Sequence, residues 1–498
     1  MNRRRFLKNV GFGVSSLLLP RGAARAAPEE ERPRRKPNIV FIFMDDLGWK
    51  DVGYNGCKFY ETPNIDRLAA EGMVFNQAYV NAGNCAPSRA CLISGQYTPR
   101  HKVYAVGSIR RGADALKRLD VTGIPEKHSL PPDEPTMADA LKAAGYATCF
   151  IGKWHLGTSA ETQPGAQGFD KVVLRGARRK RGAAPGDDPK SIYAFTAAAN
   201  RFMEDNRDRP FFIYLAHHAI HSPLEARAEV VKKYEAKKVR DIHRNAKYAA
   251  CIEHADDGVG RVLAKLKELR LEDNTLVVFF SDNGPTGSSS AAPLRGHKGM
   301  YYEGGIREPM VIRWPAVVKP GSTCDVPVLA IDLYPTFLAA AAGAKPKGKL
   351  LDGVSLMPLL KGGSKLGREA AFWHFPGYLN GTWPGARDPR FRTPPVSVIR
   401  KGDWKLHLFH EEWSLEGGWD ARDTHKAVEL YHLADDIGES KDLASLHKPK
   451  RDELLRDLLA WLKATGAPVA TKRNAKYDPT AKPQPRRGQR KRSRSKQP

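Results

Sequence analysis

The chain has 498 residues, 81 Lys and Arg against 55 Asp and Glu, a net charge of +26 and 41% apolar residues. This composition excludes a coiled coil, a collagen-like repeat, a polytopic membrane protein and a wholly disordered chain, and the length suits one large domain with an appendage or two to three ordinary domains. Charge gathers at the ends: residues 1–37 carry +7 and residues 471–498 carry +10, leaving +9 on a mildly basic body that suits an anionic ligand and does not by itself imply nucleic acid.

The first element reads as an export signal. Arg3-Arg4-Arg5-Phe6-Leu7-Lys8 precedes a short apolar run over 10–19 and the small-x-small site Ala24-Arg25-Ala26. The run is about half of the roughly 20 residues a membrane span needs, so no stable span is expected. Arg-Arg-x-Phe-Leu-Lys is close to the bacterial twin-arginine signal, which is read by an export machinery for folded cargo. An ordinary secretory n-region is the alternative. Residues 1–27 are therefore assigned to the signal and 28–37 to a Pro- and Arg-rich linker, with the mature chain periplasmic or extracellular.

Residues 38–44 form a continuous apolar run that stops at Asp45-Asp46, the pattern of a strand buried on both faces of a mainly parallel α/β sheet. Residues 275–280 repeat the pattern and stop at Ser281-Asp282-Asn283-Gly284. Two buried strands thus deliver carboxylates and an amide at their C-terminal ends, where open α/β sheets place ligands. A third such run, 211–215, is followed by His217, His218 and His221. With helical spacing over 136–144 and 248–269, the pattern predicts a large α/β domain over 38–370. Beyond it, apolar runs at 396–400 and 404–408 flank Lys401-Gly402-Asp403 as a hairpin, with a strand near 429–433 and a helix over 451–464. This predicts a small α+β C-terminal subdomain over 371–470, followed by a basic disordered tail over 471–498. The six cysteines are too few and too scattered for a disulfide framework.

The most informative stretch is Cys85-Ala86-Pro87-Ser88-Arg89-Ala90-Cys91-Leu92-Ile93-Ser94-Gly95. A Cys four residues before an Arg is either a nucleophilic thiol with a lowered pKa or a structural residue at a helix start. The spacing C-x-P-S-R-x-x-L-x-x-G resembles the maturation signature of type I sulfatases. Gly145-Tyr146-Ala147-Thr148-Cys149-Phe150-Ile151-Gly152-Lys153-Trp154-His155-Leu156-Gly157 resembles the second signature of the same family. The chain is therefore similar, from about residue 37 to about 462, to formylglycine-dependent sulfatases of the alkaline-phosphatase-like superfamily.

That resemblance implies a large mainly parallel sheet sandwiched by helices, and hydrolysis of sulfate esters, those of a sulfated carbohydrate foremost. It implies that Cys85 is oxidised by a formylglycine-generating maturation enzyme to an aldehyde whose hydrate attacks sulfur. It further implies one cation, Ca²⁺ with Mg²⁺ as the variant, held by Asp45, Asp46, Asp282, Asn283 and residue 85, an all-oxygen set suited to a hard ion. By the same resemblance Arg89 and Lys153 lie near the nucleophile, Lys298 holds the sulfate, His155 takes the proton that re-forms the aldehyde, and His221 protonates the leaving alcohol. The family often has Pro before that last histidine, where this chain has Ile220. His217, His218 and His297 are either substrate contacts or satisfied structural histidines. Glu303 to Pro309 reads as scaffold, 174–181 as a basic loop, and His374 and Trp383 as rim residues. The rival readings are a phosphatase or phosphonate monoesterase of the same superfamily and an inactive polyanion-binding protein.

Overall fold

Seven consecutive buried residues, Asn38–Met44 (β1), form the centre of an eight-stranded sheet. Its other strands are Met73–Phe75 (β2), Ala147–Gly152 (β3), Lys171–Leu174 (β4), Phe211–Ala216 (β5), Thr275–Ser281 (β6), Met310–Arg313 (β7) and Ser322–Cys324 (β8). This computed structural model describes residues 36–175, 186–239 and 241–483. The export signal, most of the linker and of the basic loop, and the end of the tail lie outside them.

The strand order is β4-β3-β5-β1-β6-β7-β2-β8. The five strands from β4 to β6 run parallel, β7 is antiparallel to β6 and β2, and β8 is parallel to β2. Alternating side chains of β1 feed two different cores. Ile39, Phe41 and Phe43 face one packed with the helices Cys85–Ser94 (α1) and Met137–Ala143 (α2), while Val40, Ile42 and Met44 face one packed with Ile192–Asp205 (α3) and Ala246–Glu268 (α4). A strand with helices on both faces has no polar side, which is why its sequence does not alternate.

A second, antiparallel sheet follows in the order Ala370–Phe375 (β9), Val396–Lys401 (β10), Trp404–Phe409 (β11) and Val428–His432 (β12). Helix Lys448–Thr465 (α5) covers it through Leu454, Leu455 and Leu458. Trp373 and Phe375 of this sheet belong to the core of the large one. The large mainly parallel sheet, its helices and the small C-terminal sheet are the α/β class that the sequence pattern implies.

Two expectations change. Residues from 471 to at least 481 are packed, not free: Arg473 bridges Leu119, Asn474 donates to the Asp114 and Lys117 carbonyls at 2.8 and 3.0 Å, and the Asp478 amide donates to Ala115. The amide side chain of Asn474 satisfies backbone carbonyls and Ala481 packs on the large core, which together anchor a mostly polar segment. His374 is not a rim residue either. It is fully buried between the Ser397 hydroxyl (2.8 Å) and the Pro468 carbonyl (3.0 Å).

Candidate active site

Four adjacent strands, β3, β5, β1 and β6, end at the same edge of the sheet, and each delivers polar side chains there. After β1, Asp45 remains on the strand path, its amide bonded to the Ala219 carbonyl, whereas Asp46 adopts φ +68°. Consecutive residues of a strand point to opposite faces. The left-handed turn at Asp46, tolerable for a short polar side chain, brings the second carboxylate round to the first. At the end of β3, Gly152 has φ +108°, and a Cβ there would stand 1.9 Å from the Ala216 carbonyl oxygen. Glycine thus lets β3 and β5 close together where Lys153 enters the site.

Cys85 opens α1, one turn ahead of Arg89. Both are almost fully buried, and the helix N-terminus gives the position a positive potential. A sulfur atom of Cys85 and one carboxylate oxygen each of Asp45 and Asp282 lie within 4.8 Å of one another, as do ligand atoms of Asp45, Asp46 and His221.

Three cations thread this acidic cluster. Arg89 donates through Nε and Nη2 to Asp282 Oδ2 at 3.0 and 2.6 Å, and through Nη1 to the Lys153 carbonyl. Lys153 Nζ donates to Asp45 Oδ2 at 2.6 Å, and Lys298 Nζ to Asp46 Oδ1. Burial alone would raise the Asp45 carboxyl, yet Lys153, Lys298 and Arg89 hold it well below the usual carboxylate range. Burial would likewise lower Lys298, but Asp46 holds it well above the ordinary lysine value. The turn that carries Lys298 is tied to the loop before Cys85 by the Gly299 amide, which donates to the Gly83 carbonyl at 2.6 Å.

Three oxygens are left over: Asp45 Oδ1, Asp46 Oδ2 and Asn283 Oδ1 are buried and accept no hydrogen bond. The Asn283 amide nitrogen is already engaged with Asp46 Oδ1 at 2.7 Å, which turns its oxygen away from that contact. A buried acceptor without a partner costs about 1–3 kcal/mol, more when charged. Three hard oxygens with no proton to share fit a divalent cation of the calcium or magnesium kind.

The histidines separate by environment. His155, with φ +65°, has a buried Nδ1 without a partner, and its pKa is pushed down to about 3 by burial and then by Lys153 and Arg89. His221 donates from Nδ1 to the Ser222 carbonyl at 2.6 Å, leaving Nε2 3.8 Å from Asp46 Oδ2. Its pKa is lowered by burial, against the raising effect of Asp45 and Asp46. His218 packs on Phe195 and is also driven down to about 3, chiefly by burial. His297 Nδ1 donates to the Pro384 carbonyl at 3.3 Å and its ring lies 6.1 Å from Trp383. His217 does not reach the cleft: it has no exposed surface and its ring lies beside Phe195 and Gly258, among helices α3 and α4. It therefore offers nothing to a substrate.

Sequence reasoning passed over two supports of this site and one rim residue. The Tyr248 hydroxyl, fully buried on α4, lies 2.9 Å from the Asp46 carbonyl and 2.7 Å from Asp51 Oδ2. Asp51 also takes the Gly48 amide and the Ser289 hydroxyl. Arg392, from the C-terminal region, reaches the Lys298 carbonyl at 3.4 Å and stacks 3.7 Å from the Trp383 ring. No local spacing marks any of the three, since each works through a partner distant in the chain.

A family model described as Sulfatase matches residues 37–344, and one described as N-sulphoglucosamine sulphohydrolase, C-terminal, matches residues 296–464. The chain is 34% identical to a sulfatase of Formosa agariphila over 94% of this chain and 95% of that one. It is 32% identical to human arylsulfatase A over 86% of both chains. Among solved structures, Ps i-CgsB in complex with k-i-k-neocarrahexaose aligns with a TM-score of 0.67 at 28% identity, over 93% of this chain and 98% of that one. A phosphonate monoester hydrolase of Agrobacterium radiobacter shares the fold at 20% identity and a TM-score of 0.62, over 86% of this chain and 96% of that one.

Proposed function

The chain belongs to the sulfatase family and is a sulfuric ester hydrolase of alkaline-phosphatase-like fold, and from that premise we propose an exported enzyme that hydrolyses sulfate esters of carbohydrates with a formylglycine made from Cys85. The observation that carries this reading is the meeting of Cys85, at a helix N-terminus, with the unpartnered oxygens of Asp45, Asp46 and Asn283 and the side chains of Arg89, Lys153 and Lys298.

Asp45, Asp46, Asp282 and Asn283, with residue 85, would hold one divalent cation, Ca²⁺ in the first instance. When bound, such an ion supplies positive charge against the sulfate oxygens. Conversion of Cys85 by a separate maturation enzyme supplies a hydrated aldehyde as nucleophile. The chain's own residues do the rest. Lys153 and Lys298, kept charged by Asp45 and Asp46, hold the anionic group. His155, kept neutral by burial and by neighbouring cations, is suited to accept a proton beside residue 85. His221, whose Nδ1 proton is bonded to Ser222, carries a proton on Nε2 as the imidazolium, the form that Asp45 and Asp46 favour, and in that form is placed to give it to the leaving oxygen.

Carbohydrate is the substrate class favoured by a relative called N-acetylgalactosamine-6-sulfatase in mouse, 29% identical over 77% of this chain and 73% of that one, and by the solved neighbour bound to a neocarrahexaose. Arg392, stacked on Trp383 and reaching the Lys298 carbonyl, adds positive charge beside the lysine proposed to hold the sulfate. Export rests on the twin-arginine-like segment. No helix among the described residues is long and apolar enough to cross a membrane. The test is peptide mass spectrometry of residue 85 from exported protein, followed by turnover on sulfated saccharides and on 4-nitrophenyl sulfate and phosphate. Formylglycine with turnover of sulfates is expected. An unmodified thiol in a competent host, or turnover of phosphate above sulfate, overturns the proposal.

A further inference from the structure

We propose that Cys57, Asp241 and His243 form a second metal site, built for a zinc-class cation and separate from the oxygen-lined active site. One ligand atom of each lies within 4.8 Å of the other two. Cys57 Sγ is 3.5 Å from His243 Nδ1, and Nδ1 is 2.9 Å from Asp241 Oδ1. Zinc bonds of about 2.3 Å to sulfur and about 2.0–2.1 Å to nitrogen and oxygen, arranged tetrahedrally, place sulfur and nitrogen about 3.6 Å apart and nitrogen and oxygen about 3.4 Å apart. The sulfur–nitrogen spacing already fits. The nitrogen–oxygen pair must open by about 0.5 Å, which follows once a cation replaces the hydrogen bond between them.

The surroundings are those of a ligand set rather than of a lone cysteine. The Tyr60 amide donates to Cys57 Sγ at 3.2 Å, a contact that stabilises a thiolate. The Lys58 and His243 amides donate to the two oxygens of Asp241 and so orient that carboxylate. On the far side of the imidazole, His243 Nε2 is buried without a hydrogen-bond partner, 3.3 Å from Asp51 Oδ1. A carboxylate behind the distal nitrogen is the usual means of orienting a metal-binding histidine through its other nitrogen. The Asp241 side chain is about a quarter exposed, whereas that of His243 is not exposed at all, so ions enter past Asp241 and solvent completes the fourth position. Thiolate and imidazole donors select zinc over calcium, the reverse of the all-oxygen set at Asp45, Asp46 and Asn283.

Purified full-length protein is loaded with Zn²⁺ or Co²⁺, freed of loose metal by gel filtration and assayed by elemental analysis and absorption. Expected are one retained zinc per chain that is lost in Cys57→Ala, and a thiolate-to-cobalt charge-transfer band that vanishes in Cys57→Ala but survives in Cys85→Ala. Cys57→Ala should still hydrolyse 4-nitrophenyl sulfate, which verifies its fold. Asp51→Asn should weaken zinc binding by about 10–100-fold. The proposal is overturned if no zinc is retained, if retained zinc is the same in Cys57→Ala, or if the cobalt band follows Cys85.

Discussion

Tyr248→Phe removes one oxygen from a side chain with no exposed surface and leaves the ring that packs α4 unchanged. One hydroxyl proton faces two acceptors, the Asp46 carbonyl at 2.9 Å and Asp51 Oδ2 at 2.7 Å. A hydrogen bond to a charged group contributes about 1.5–3 kcal/mol, and Asp51 keeps the Gly48 amide and the Ser289 hydroxyl, so about 2 kcal/mol of stability should be lost. The larger effect is local. The Asp46 carbonyl belongs to the residue held at φ +68°, and the turn there is what brings the Asp46 carboxylate beside Asp45. Loss of an outer partner of a metal ligand costs about 10–100-fold in metal affinity. Calcium titration by calorimetry, beside urea unfolding of the same samples, separates the two effects. Tyr60→Phe is the control, since its hydroxyl meets Ser289 at 3.1 Å and reaches Asp46 only through Ser289, Asp51 and Tyr248, three hydrogen bonds further away. Equal calcium affinity in Tyr248→Phe and the wild type would refute the reasoning, whatever the stability change.

Cys85→Ala should abolish turnover of every sulfate ester while the unfolding transition stays near that of the wild type; residual turnover above the uncatalysed rate would remove residue 85 as nucleophile. His221→Ala should lower kcat on sugar sulfates by about 10²–10⁴-fold and on 4-nitrophenyl sulfate far less, because a good leaving group needs little protonation; equal losses on both would shift the acid role to His218. Arg89→Met should destabilise the protein by about 3–5 kcal/mol, since it leaves the buried Asp282 carboxylate without its cation, and a loss under 1 kcal/mol in urea unfolding would contradict the pairing. His374, held at about 4 by burial when 6.5 is its ordinary value, takes up its proton in the unfolded chain first, so stability falls as pH drops from 6.5 toward 4. That loss is worth about 2–3 kcal/mol by pH 4.5, and His374→Gln should remove it; an unchanged slope of stability against pH would sink the assignment.

The parts of the site carried by long buried strands were legible in the chain. Residues 38–44 and 275–281 have no polar side, so the first polar groups after them, Asp45-Asp46 and Asp282-Asn283, had to emerge at the sheet edge. Strand parity also held information that was not used. Ala216 faces the core of α1 and α2, so His217, one residue on, falls to the side of α3 and α4. Tyr248 reads as one more large residue on the buried stripe of α4, and only the fold brings its hydroxyl to a carbonyl 202 residues away. Strands β2, β7 and β8, three or four residues each, are too short for any periodicity to register. The packing of residues 471–481 escaped for another reason, since a polar segment held by amide and backbone hydrogen bonds has the composition of a free one.

The balance of charge in the cleft gives a physical reason for the proposed cation. Asp45, Asp46 and Asp282 bring three negative charges, and Arg89, Lys153 and Lys298 three positive ones, each cation paired with one carboxylate. Six buried charges that cancel pairwise leave little net attraction for a monoanionic ester, however basic the chain is elsewhere. The attraction must come from what the leftover oxygens of Asp45, Asp46 and Asn283 bind, since a divalent ion there adds two positive charges without breaking any pairing that orients the lysines.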